Sequence, residues 1–334
     1  MIVKNYFSQV LDGMAKGLFA SLIIGTIIAQ IGSLFDIEIL KTIGLLAQYM
    51  MGPCIGVGIA YVRKSRQYTV FAAAVAGAIG AGTVALSPET SVYIIKIGEP
   101  AGALLASLVG VEIGRLVEGK TKFDLLLVPL FVILSGGIVG FYLSPILSAF
   151  MRQIGFFVNE ITMLHPAPMG ILLGIIVGII LTLPISSAAL CIAINISGLA
   201  AGAACAGCCA QMVGFAVSSF RENKISGLIS QGIGTSMIQM PNIIKNPWIW
   251  LPPTVAGGVA GLLSTTVFKM ETSSVGAGMG TSGLVGQITT IDTMGTSAIL
   301  PILIVHVLIP IIISISLNEL LRKRNIIKLG DMGL

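Results

Sequence analysis

Charge is what this chain has least of. Asp, Glu, Lys and Arg together make up 10% of its 334 residues, where a soluble globular domain carries about a quarter. It has two histidines and two tryptophans, and aromatic residues total only 6%. So sparse a charged surface excludes an ordinary water-soluble domain. The net charge of +5 sits in short clusters between apolar runs, which excludes a nucleic-acid partner and reads as topology signals instead. His165 lies in a connector and His306 in an apolar run, read as a hydrogen-bonded helix residue. No Ser/His/Asp set, metal cage or Gly-Lys-Ser/Thr phosphate loop can be assembled. The sequence therefore implies no catalytic residue, metal or cofactor.

What fills the chain is apolar residues, 55% of the total, with a mean hydropathy of +0.99. Runs of about 20 apolar residues, enough to cross a bilayer, recur from end to end. The fold class is all-α, a polytopic integral membrane protein with about ten membrane elements. These include broken helices and two or three re-entrant hairpins. Full spans are expected over 17–32, 42–62, 68–86, 101–117, 124–149, 168–183, 198–220, 251–268 and 297–317. The third is expected to end at Ser87-Pro88-Glu89-Thr90. Segments Ser91–Pro100, 225–240 and 273–293 are too short or too polar to cross and read as partial elements. Residues 150–167 read as a semi-polar connector or an interfacial helix, 185–197 as a short segment, and Trp248 and Trp250 as interfacial anchors. One transporter domain, 1–334, is expected, with pseudo-halves 1–150 and 168–320.

The N-terminus carries Lys4, Asp12 and Lys16 with no small-residue cleavage site behind it, and reads as a first membrane helix rather than a removed signal. Basic groups at Arg63–Arg66, Arg115–Lys122, Arg221–Lys224 and Arg322–Lys328 share the cytoplasmic side by the positive-inside rule. Counting back puts both termini inside. Five cysteines are an odd number. Cys205, Cys208 and Cys209 lie in an Ala/Gly-rich run with no second Cys or His pair at ligand spacing, so they read as small packing residues.

The stretch Thr182–Gln287 is where chemistry is expected. It is too polar and small-residued for lipid-facing helix and too apolar for exposed loops, and broken backbone at membrane depth is tolerated only inside protein or beside a cavity. Pro184 breaks a helix beside Ser186 and Ser187, with Gln211 downstream. Gly232-Ile-Gly-Thr-Ser236 and Gly278-Met-Gly-Thr-Ser282 share one pattern, each leading into a glutamine, and a third Gly-Thr-Ser lies at 295–297. Glycines permit tight turns, and the hydroxyls can bind a ligand or cap a helix. The candidate substrate wall is Ser186, Ser187, Gln211, Thr235, Ser236, Asn242, Thr281, Ser282 and Gln287, joined by Glu99 where Gly98-Glu99-Pro100 would turn. Glu112 and Arg115, at i,i+3 on one helical face, read as a salt bridge at a helix end.

These motifs resemble one family. Thr182-Leu-Pro-Ile-Ser-Ser-Ala-Ala189, Cys208-Cys-Ala-Gln-Met-Val-Gly-Phe-Ala216, Gln231-Gly-Ile-Gly-Thr-Ser236, Pro241-Asn242, Gly276-Ala-Gly-Met-Gly-Thr-Ser-Gly-Leu-Val-Gly-Gln287, Gly98-Glu-Pro-Ala-Gly102 and Gly119-Lys-Thr-Lys-Phe-Asp124 carry the likeness. It is to the enzyme-IIC-like membrane proteins of the bacterial sugar phosphotransferase system (type 2), which include toxin regulators of the perfringolysin-regulator type. The resemblance implies a homodimeric permease of the bacterial cytoplasmic (inner) membrane. It would move a sugar or related small polar solute while partner IIA and IIB proteins phosphorylate it. The Ile-Thr-Glu-Pro motif of glucose-type members is approximated only by Ile97-Gly98-Glu99-Pro100, and no IIB-like or IIA-like domain is found in these residues. A secondary transporter of a small organic anion and a non-transporting membrane sensor stand as alternatives.

Overall fold

The computed structural model describes residues 2–86 and 92–334. Two compact units divide it, Met1–Phe150 and Met151–Leu334.

The first unit opens with α1 (Ile2–Leu18), a π-helical turn (Phe19–Ile23) and α2 (Ile24–Leu34), then α3 (Glu38–Tyr49) and α4 (Met51–Val62). The expected 42–62 span is thus a bent pair, the two helices meeting at 51°. Pro53 explains the bend, since it has no N–H to offer the Tyr49 carbonyl. α5 (Gln67–Ala81) ends on Gly82 at φ +66°, whose N–H bonds to Ile79 while that of Thr83 bonds to Ala78. Such a left-handed cap stops a helix.

The expected third span through residue 86 is corrected here. Val84–Leu86 (β1) pairs antiparallel with Tyr93–Ile95 (β2), Val84 opposite Ile95. The Ser91–Pro100 segment is therefore strand over Tyr93–Ile95, and the turn expected at 87–90 lies outside the described residues. α6 (Pro100–Val117) starts with proline at its first helical position, where the missing N–H costs nothing. Glu112 ties this unit together: Arg63 Nε reaches it at 2.8 Å, Tyr6 donates its hydroxyl at 3.0 Å, and Arg115 lies 3.3 Å away.

α7 (Asp124–Thr162) runs unbroken for 39 residues, so the segment expected over 150–167 as a connector or interfacial helix is, through Thr162, a continuation of the fifth span. Arg152 and Glu160 are polar, but nothing from Met151 to Thr162 breaks a helix. The window Asp124–Leu143 is only 22% buried; exposed Leu126, Leu130, Leu134 and Ile138 form the lipid-facing kind of surface.

In the second unit, α8 (Pro166–Thr182), α9 (Ser187–Ala193), α10 (Gly198–Ser218), α11 (Phe220–Ile229, broken at Lys224), α12 (Met240–Lys245) and α13 (Leu251–Thr266) precede a finely divided end. That end comprises α14 (Ser274–Met279), α15 (Val285–Met294), the single turn α16 (Ile299–Pro301), a π stretch (Ile302–Leu308) and α17 (Ile309–Lys323). α10 is its axis, with 89% of its membrane-length window buried. α8, α10 and α13 pack mutually. They meet through glycine: a Cβ on Gly207 would lie 2.0 Å from the Gly174 carbonyl oxygen, and one on Gly261 2.0 Å from that of Gly170. Close backbone approach replaces the hydrophobic effect, which has no purchase between helices in lipid.

Among the described residues, five helices are long and apolar enough to cross a membrane, or six if the bent pair counts as one span. α5 and α8 are apolar but shorter. The chain is an integral membrane protein, and its described residues are helical but for the small β1–β2 hairpin and irregular connections. The Gly- and Ser-rich segments counted toward about ten elements fold as π, 3-10 and six- to ten-residue α pieces.

Candidate functional site

The helix breaks of the second unit bring uncharged polar groups into a dry interior. α8 ends at Thr182, two residues before Pro184, and its neighbour α10 presents Gln211 one turn from the same level. Thr182 Oγ1 lies 2.8 Å from Ser236 Oγ and 3.4 Å from Gln211 Oε1. Gln211 Oε1 also accepts from Trp250 Nε1 at 3.1 Å, and its Nε2 donates to Thr254 Oγ1 at 3.0 Å. Thr182, Gln211 and Ser236 are completely shielded from solvent. In such a setting every polar group must find a partner within the protein, and these do so across α8, α10, α13 and the Ser236–Gln239 turn. Thr182, Trp250 and Thr254 were missed from sequence. Trp250 is turned onto Gln211, whereas Trp248 is exposed as an anchor would be.

The two Gly-Thr-Ser tracts are brought together. The π turn Ser230–Gly234 packs against the 3-10 turn Ser282–Leu284. Thr235 caps the Ser236–Gln239 turn through the Met237 N–H. Gly280 holds φ +55°, ψ −129°, a conformation strained for a side chain. It sits against α10 so tightly that a Cβ would fall 2.7 Å from Cys208 Cβ and 2.8 Å from the Cys209 nitrogen. Next to it, buried Thr281 donates to Met212 Sδ at 3.3 Å. Ser282 is also buried, and its hydroxyl has no hydrogen-bond partner. The third tract, 295–297, is exposed and stands apart from this arrangement.

Ser186 caps α9, accepting from the Ala189 N–H at 3.2 Å. Ser187 donates to the Gly278 carbonyl at 2.6 Å, fastening α9 to α14. Gln287 Nε2 lies 3.3 Å from Cys209 Sγ and 3.4 Å from His306 Nδ1. Cys208 faces another way, toward the Ala277 and Val177 carbonyls.

Two candidates lie elsewhere. Asn242 donates to Gln239 Oε1 at 2.9 Å and to the Gly333 carbonyl at 2.8 Å. It belongs to an amide ladder, Gln231–Gln239–Asn242, that holds the segment Ile326–Leu334, with Gln239 also on the Met332 carbonyl. Ile327 and Met332 are buried beneath it. Glu99 belongs to the first unit, where it precedes α6 and its N–H bonds to the Ala81 carbonyl. Asn242 thus stands with the chain's last segment, and Glu99 belongs to the other unit.

An uncharged, shielded polar core thus stands at the helix breaks of the second unit. The model of the family described as "Phosphotransferase system, EIIC" matches residues 8–334. The chain belongs to the phosphotransferase system EIIC family. It is a membrane component of sugar transport, within a system that employs IIA and IIB proteins. No curated protein matches the chain.

Proposed function

We propose that this EIIC-family chain is a permease whose substrate wall is built by Thr182, Gln211, Ser236, Thr281 and Ser282 in the second unit. The carrying observation is the hydroxyl–amide network centred on Gln211, buried at Thr182, Gln211 and Ser236 and partly buried at Trp250 and Thr254, in which no member is charged. A sugar presents several hydroxyls, each donor and acceptor at once, and such a ligand replaces bonds like that between Thr182 and Ser236 one for one. Ser282 adds a buried hydroxyl with no protein partner. A carboxylate substrate would instead demand a compensating positive charge, and the network contains none. The neutral sugar is therefore favoured over an organic anion.

The two Gly-Thr-Ser turns act in this reading as the tips of re-entrant hairpins, brought together beside α10. The Pro184 break and α9 form the third side, with Ser187 as a fastening. Partner IIB protein phosphorylates the sugar as it leaves on the cytoplasmic side, where the basic clusters and both termini lie. The exposed apolar faces accommodate lipid and a second copy of the chain.

Reconstituted vesicles offered a panel of sugars and carboxylates, with and without phosphorylated IIB, test this. The expected result is accumulation of a phosphorylated sugar only when phosphorylated IIB is present. Uptake of a carboxylate driven by an ion gradient alone, or ligand binding without flux under every condition, would overturn it in favour of a secondary carrier or a sensor.

A further inference from the structure

Beside the polar core lies a second cluster of different chemistry. Cys205 and Cys209 stand one turn apart on α10 and so share a face. His306 reaches them from the π stretch Ile302–Leu308. Pro310 accounts for that stretch, because it has no N–H to return to the His306 carbonyl and its ring crowds it. All three residues are buried, and their ligand-capable atoms lie within 4.8 Å of one another. Gly286 makes room for them: a Cβ there would come within 2.6 Å of Cys205 Sγ. Linear spacing concealed this set, since the imidazole comes from the far end of the unit.

Two atoms in the cluster have no hydrogen-bond partner among the described residues, His306 Nε2 and Gln287 Oε1. Both are shielded from solvent, and His306 is fully buried. An orphaned buried polar atom calls for a ligand or a strain account, and here two of them stand beside two thiols. The donors indicate which ligand. Two sulfurs and an imidazole are soft ligands that select zinc or copper(I) over calcium or magnesium.

We propose that Cys205, Cys209 and His306 bind one zinc-like divalent cation, with the Gln287 side-chain amide at the fourth position. Charge favours the divalent ion. Two thiolates and a neutral imidazole balance it, leaving no net charge in a low-dielectric interior, whereas a monovalent ion would leave one negative charge unbalanced. Spacing agrees as well. Tetrahedral bonds of about 2.0–2.3 Å put neighbouring ligand atoms about 3.3–3.8 Å apart, and the Gln287 amide nitrogen stands 3.3 Å from Cys209 Sγ. Amide oxygen and nitrogen exchange places by a simple flip, and the unpartnered oxygen gives up no bond in doing so. The thiols release their protons to solvent as the ion binds, so affinity rises with pH. Bound there, the ion ties α10 to α15 and to the π stretch. This site stands independently of the sugar-transport reading.

The test uses the full chain in detergent, reduced and stripped with a chelator, then titrated with Co²⁺. The expected result is saturation at one ion per chain, with a thiolate-to-cobalt charge-transfer band and tetrahedral visible absorption, both abolished by Zn²⁺. Cys209→Ser and His306→Ala should lose the band, while Cys208→Ser, on another face, should keep it. In the wild-type chain, which involves no folding risk, Zn²⁺ should protect Cys205 and Cys209 from alkylation in unfolding detergent pulses more than Cys208. Absence of the band, its survival in the Cys205→Ser/Cys209→Ser double variant, preference for copper(I) with refusal of Co²⁺, or equal labelling of the three cysteines with and without zinc would each overturn the proposal.

Discussion

Substituting Gly280 by alanine should damage this protein more than the same change at Gly295, and the structure says by how much. Both glycines hold backbone conformations strained for a side chain, φ +55°, ψ −129° at Gly280 and φ +70°, ψ −160° at Gly295. Each alanine therefore incurs a strain of about 1–3 kcal/mol. The surroundings differ. A Cβ at Gly295 meets nothing within 4 Å, whereas at Gly280 it meets Cys208 Cβ, the Cys208 carbonyl carbon and the Cys209 nitrogen at 2.7–2.8 Å. Two of these are backbone atoms of the most buried helix, which cannot swing aside. Overpacking of this kind costs a further ~1–3 kcal/mol. Gly280→Ala should then lose about 2–6 kcal/mol in total, and Gly295→Ala only the strain portion. Parallel unfolding of the two variants in mixed micelles, read by far-ultraviolet circular dichroism, measures the difference. Equal losses would refute the tight seating of the second Gly-Thr-Ser turn on α10.

Other expectations follow from the same geometry. Ser282→Ala removes a buried hydroxyl that bonds to nothing in the protein, so stability should hold while sugar affinity falls about fivefold, the worth of one hydrogen bond of about 1 kcal/mol; a stability loss without an affinity loss would exclude Ser282 from the wall. Gln211→Leu strands the Trp250 N–H, costing about 1–3 kcal/mol, and should abolish uptake at normal expression. Asn242→Leu should free the segment Ile326–Leu334, seen as faster amide exchange there, with little change in sugar affinity.

Much of this architecture is legible in the residues because membrane physics narrows the choices. The spans at 100–117 and 198–218 follow from length and apolarity, and the breaks at Pro184 and Gly280 from residues that cannot continue a helix. Three features escaped for separate reasons. The β1–β2 hairpin lies in an apolar stretch whose helix end is signalled by Gly82 alone, one of many glycines in that region. α7 continues through 162 because polar residues such as Arg152 are compatible with helix, although they suggested a connector. Asn242 bonds to a segment near the other end of the chain, a partner that no local pattern reveals. The same distance hid His306 from Cys205 and Cys209, and Trp250 from Gln211.

The central claim is that sugar engages the Gln211 network, and Trp250 reports on it directly. Its indole N–H bonds to Gln211, and the only other tryptophan is Trp248. In a Trp248→Phe background, titration with the sugar taken up by vesicles should produce a saturable change in Trp250 fluorescence that Gln211→Leu eliminates. An unchanged signal with a sugar that is demonstrably bound would place the substrate elsewhere and contradict the account.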